Sequence, residues 1–106
     1  MLEIKYNNND IVAFKLSTGE EVLARLVEEK DNDFVVSKPM SLIPQGDGLV
    51  LNQSIFSVDV QTQSVKINKN AVVMHARARK ELVDNYTQAT SSIQTVPSSS
   101  TGQFQL

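Results

Sequence analysis

The chain has 106 residues, of which 41% are hydrophobic, with no Cys, no Trp and a net charge of −2. That is one domain's worth of chain, and the missing Cys excludes disulfides, a thiolate nucleophile and a Cys-based zinc site. No run approaches the roughly 20 apolar residues of a membrane span, and the net charge by itself argues against a strong nucleic-acid binder.

Residues 1–10 read as an N-terminal extension. They lack the basic and then apolar pattern of a secretory leader, so a cytoplasmic protein is expected. From Ile11 to Ser17 apolar residues alternate, with Val12, Phe14 and Leu16 on one side, as in a half-buried strand. Ser17-Thr18-Gly19-Glu20 predicts a tight hairpin, because Gly19 can take a positive φ. A second strand is expected over about Glu20 to Glu29, with Val22, Ala24 and Leu26 on one face and Leu23, Arg25 and Val27 on the other. Lys30-Asp31-Asn32-Asp33 is a polar turn. A third strand starts at Phe34, and Pro39 makes it bend or end before Met40 to Ile43.

Pro44-Gln45-Gly46-Asp47-Gly48 is the strongest loop signal. Leu49 to Val60 is long enough for one curved strand, Gln61 to Ser64 turns it, and Val65 to Met74 gives a last strand interrupted at Asn68-Lys69-Asn70. Then the period changes. Leu82, Val83, Tyr86, Ala89 and Ile93 recur at helical spacing, predicting an amphipathic helix over Arg77 to about Ser92. The Ser-, Thr- and Gln-rich residues 94–106 are expected to be a disordered tail.

No catalytic, cofactor or metal constellation stands out, and an enzyme is not expected. His75, the single histidine, has no Cys or acid pair as ligand company. Glu20-Glu21 and Glu28-Glu29 are adjacent strand residues that point to opposite faces, so neither pair converges on one bond. Charge, in contrast, is unevenly spread. Residues 1–59 carry ten acids against five bases, whereas residues 60–80 carry no acid but Lys66, Lys69, Arg77, Arg79 and Lys80. A folded domain can gather such residues on one face. Arg77, Arg79 and Lys80 at the start of the expected helix would oppose its macrodipole, and an anionic partner would relieve this.

Val12-Ala13-Phe14-Lys15-Leu16-Ser17-Thr18-Gly19-Glu20-Glu21-Val22-Leu23-Ala24-Arg25-Leu26 resembles the first motif of the Sm-like (LSm) family, with Ala24 where the family usually has Gly. Phe14-Lys15-Leu16 with Gly19-Glu20-Glu21, then Lys38-Pro39, Ala78-Arg79-Lys80-Glu81, Tyr86 and Thr90-Ser91, resembles the Sm-like proteins of marine tailed phages, the cyanophage type. Together these residues span most of 11–93. The resemblance implies a mostly β fold, a small five-stranded, strongly bent antiparallel Sm-like barrel, here with a C-terminal helix. It also implies a homo-oligomeric ring and, for a phage-encoded chain, the host cytoplasm. Besides Ala24, three features depart from the family, one being that the helix follows the barrel where the family places it before. The turn at Lys30-Asp31-Asn32-Asp33 does not align with the family's usual Asp and Asn, and Lys69-Asn70 stands where Arg-Gly or Lys-Gly is usual.

What the resemblance implies for function is binding of single-stranded nucleic acid, RNA before DNA, in RNA or DNA processing. Lys69, Asn70 and Asn32 would line the pore side, Lys66, Arg77 and Arg79 would contact phosphates, and Phe34 would offer bases an aromatic face. The other reading is a structural or adaptor ring that binds a protein through its C-terminal helix or tail, in keeping with the acidic first half.

Overall fold

The computed structural model describes residues 5–55 and 64–95, with side chains as far as residue 91. Its strands are β1 (Ile11–Leu16), β2 (Glu21–Glu29), β3 (Asp33–Gln45), β4 (Gly48–Gln53), β5 (Val65–Asn68) and β6 (Val72–Arg77). A 3-10 turn, Lys69–Ala71, joins β5 to β6, and helix α1 (Lys80–Thr95) ends the described chain. The sheet is antiparallel throughout, in the order β4-β3-β2-β1-β6, with β5 also paired to β3. No ladder joins β5 to β6 among the described residues, so the sheet is curled but open.

The Gly19 hairpin forms as predicted, whereas the expected loop over Pro44–Gly48 shrinks to Gly46-Asp47, because Pro44 and Gln45 stay paired in β3 and Gly48 in β4. Gly19 takes φ 95° where the amide of Leu16 reaches the carbonyl of Glu20 at 2.8 Å. Gly46 takes φ 61° at the first position of the two-residue loop between the paired Gln45 and Gly48. Pro39 bends its strand and does not end it. The β2–β3 register passes from Leu23↔Met40 to Arg25↔Ser37, which inserts one extra β3 residue opposite Ala24. Lys38 absorbs this bulge at φ 52°, a sign that L-residues other than Gly take only at a cost.

Among the described residues six strand segments stand where five are expected. The interruption at Asn68-Lys69-Asn70 is a full break: Asn68 caps the 3-10 turn, its side chain accepting from the amide of Asn70 at 2.7 Å. Val65 to Met74 therefore divides into β5 and β6. The expected Leu49–Val60 strand runs as β4 only to Gln53, and residues 56–63 lie outside the described residues. β4 pairs with Met40 to Gln45 and β5 with Asp33 to Val36, so the two lie end to end along β3.

The helix begins three residues later than its period suggests, at Lys80, because Arg77 is still in β6 opposite Val12. It also runs through Thr95, so the expected tail starts within it, and residues 96–106 lie outside the described residues.

Alternation puts apolar side chains on both faces of the central strands. On the concave face Val12, Phe14, Val22, Ala24, Leu26, Phe34 and Val36 form the main core. On the other face Ile11, Leu23 and Met40 pack with Tyr86, flanked by Leu82, Val83 and Ala89 of α1. The helix thus covers what would otherwise be an exposed apolar sheet face, which is why β1 reads as half-buried in sequence yet is covered on both sides.

Candidate nucleic-acid interface

The fold brings Asn32, Lys69 and Asn70 together. Asn32 lies in the β2–β3 turn, closed by the amide of Lys30 on the carbonyl of Asp33 at 2.8 Å. The amide of Lys69 donates to the carbonyl of Asn32 at 2.9 Å, tying this turn to the 3-10 turn. The side chains of Asn32 and Asn70 are exposed there, each an amide with both donor and acceptor capacity for a base edge.

Lys69 is not a free cation. Its Nζ lies 2.7 Å from Glu29 Oε2 and 5.0 Å from the centre of the Phe34 ring. Glu28, Asp31 and Asp33 add negative charge around the same turns, against Lys30 and Lys66. The local field is therefore not the positive collar that Lys69 alone would suggest.

Phe34 does not offer a stacking face to a base. It is 1% exposed, packed edge-on against His75 and tilted against Phe14 with centroids 5.0 Å apart in each case. A place beside a loop does not make it accessible, because its side chain packs with Val36 in the core.

Lys66 is exposed on β5, opposite Val35 and close to the Asn32–Asn70 turns. Arg77 and Arg79 lie at the far end of β6 and are not part of that cluster. Arg77 Nε donates to Asp10 Oδ2 at 3.0 Å, its guanidinium also reaches the carbonyl of Lys5, and it lies 5.4 Å from the Tyr6 ring centre. Arg79 and Lys80 are paired with Glu81 and Asp84. The charge at the start of α1 is thus balanced within the chain, and the unfavourable dipole argument loses its force.

Tyr6 and Asp10 carry no signal in the sequence, and Glu29 stands out there only as half of an acidic pair. Glu29 reaches Lys69 across 40 positions, whereas Tyr6 and Asp10 meet His75 and Arg77 farther along β6. Tyr6 Oη is 2.6 Å from His75 Nδ1, which gives His75 a structural partner. The Tyr6 phenol is pushed above its ordinary pKa, chiefly by burial, with Arg77 opposing and Glu29 and Asp10 reinforcing. No local motif announces contacts 69 or 40 positions apart.

Among the described residues no group of three or more His, Asp or Glu side chains could hold a metal ion, and no helix is long and apolar enough to cross a membrane. No family model matches the chain, and none of the curated proteins matches it.

Proposed function

We propose that this chain is the subunit of a homo-oligomeric Sm-like ring that binds single-stranded nucleic acid, RNA before DNA. The observation that carries the proposal is the pair of sheet edges. Among the described residues β4 and β6 end the strand order, each with a neighbour on one side only, as β5 also has, and β4 and β6 expose large apolar residues: Leu49 and Val50 on β4, Val73 and Met74 on β6. Val73 and Met74 are 60% and 64% exposed, unusual for strand residues of this size. Pairing β4 of one copy with β6 of the next satisfies both backbone edges and covers both apolar strips. Such a contact joins two different surfaces, so it propagates head to tail and closes when the rotation permits.

The exposed amides of Asn32 and Asn70 support nucleic acid as the ligand, repeated once per subunit. With Lys69 held by Glu29, base-edge contacts carry more of the binding than phosphate attraction, so affinity at these turns is modest. The test is binding of short labelled RNA and DNA to the purified assembly, comparing wild type with Asn32→Ala/Asn70→Ala. Loss of binding with assembly intact supports the reading; unchanged binding removes these turns from it.

A protein-binding adaptor ring is the second reading. The acidic surround of the turns, Glu28, Glu29, Asp31 and Asp33, favours it. An assembled ring that binds no oligonucleotide at low salt would leave this reading in place.

A further inference from the structure

Of the ten Lys and Arg residues, Lys15, Lys69, Arg77, Arg79 and Lys80 each have a carboxylate partner within the chain. The other five, Lys5, Arg25, Lys30, Lys38 and Lys66, have none among the described residues, and of these Arg25 and Lys38 are neighbours on adjoining strands. Arg25 pairs with Ser37 across β2 and β3, and Lys38 is the bulged residue next to it. Because Ala24 and Leu26 face the concave core, Arg25 projects from the opposite face, the one on which α1 packs.

Their mutual effect is repulsive. The Lys38 ammonium is held below its ordinary pKa, first by burial and then by the Arg25 charge, with no carboxylate from β2, β3 or α1 raising it. Arg25 also acts on the Tyr86 phenol from α1. Lys38 is exposed and Arg25 half-buried, two adjacent cations without a carboxylate partner, and an anion beside both relieves their repulsion. The acceptors nearby are already engaged: the Tyr86 hydroxyl of α1 donates to the carbonyl of Lys38 at 2.7 Å and lies 3.1 Å from that of Ser37. What remains at the surface is a guanidinium fork and an ammonium, donors that match a phosphate's oxygens.

We infer that Arg25 and Lys38 form an anion site for the phosphodiester backbone of a single strand, on the outer face beside α1. This site is separate from the Asn32–Asn70 turns and exists in one subunit, whatever the assembly. It stands or falls independently of binding at those turns.

The test has two arms. In the first, labelled single-stranded oligonucleotide is titrated across a salt series with wild type, with Arg25→Gln/Lys38→Gln and with the exposed single variant Lys38→Gln. The double variant should lose about tenfold or more in affinity at low salt. Each lost contact should also flatten the slope of log affinity against log salt by about 0.7. In the second arm, which needs no variant, inorganic phosphate is added to wild type while the Lys38 Nζ resonance is followed; binding should raise the Lys38 pKa. Unchanged affinity and slope in Lys38→Gln, with no response of Lys38 to phosphate, overturns the site. Phosphate binding without oligonucleotide binding, or displacement by an acidic peptide in preference to oligonucleotide, overturns the nucleic-acid assignment.

Discussion

Tyr86 Oη of the helix lies 2.7 Å from the carbonyl of Lys38, the residue that takes φ 52° at the bend of β3. The same hydroxyl is 3.1 Å from the carbonyl of Ser37, so its one proton serves two acceptors freed by the bulge. Tyr86 is fully buried, and its ring fills the apolar layer between α1 and the sheet. One side chain therefore joins helix docking to strand curvature. Tyr86→Phe keeps the ring and removes the donor, which should cost about 1–3 kcal/mol in urea unfolding. A loss below a few tenths would mean that water replaces the hydroxyl there.

The same contact predicts a loss of stability in alkali. Burial, partly offset by Arg25, pushes the Tyr86 phenol from 10.0 up to about 12. Between these values the folded state keeps a proton that the unfolded chain releases. The contribution is whole below about pH 10 and is lost as pH rises toward 12, up to about 3 kcal/mol in all. Tyr86→Phe should flatten this part of the stability profile; an equal decline in both proteins would place its origin elsewhere.

Lys38 holds a left-handed conformation that glycine takes freely. Lys38→Gly should therefore raise stability by about 1 kcal/mol, less whatever entropy the unfolded chain gains. Destabilisation instead would show that the aliphatic part of the lysine packs usefully beside Tyr86.

Glu29 neutralises Lys69 at 2.7 Å. Glu29→Gln frees that ammonium at the turns carrying Asn32 and Asn70, and should raise oligonucleotide affinity by about threefold to tenfold at low salt, with a steeper salt dependence. No change would separate Lys69 from the binding surface.

Much of the fold is legible in the chain because its cues are local. The alternation from Ile11 to Leu16, Gly19 in its hairpin and the helical spacing of Leu82, Val83 and Tyr86 each act within a few residues. The break at Asn68-Lys69-Asn70 is visible too, though not its depth, since capping by Asn68 is what turns a pause into two strands. The site is less legible. Lys69 and Asn32 meet through a backbone bond that neither side chain announces. Phe34 misleads because loop proximity says nothing of which way a strand residue points. The pairing of Arg77 with Asp10 and of Lys69 with Glu29 depends on the curl of the sheet, which sets distant residues side by side.

Assembly through the β4 and β6 edges is tested by the molar mass of the protein in solution, read by light scattering and followed on dilution through the micromolar range. One discrete species at several times 11.7 kDa should persist on dilution and be reduced by Val73→Lys/Met74→Lys. A wild-type protein of 11.7 kDa throughout would contradict it.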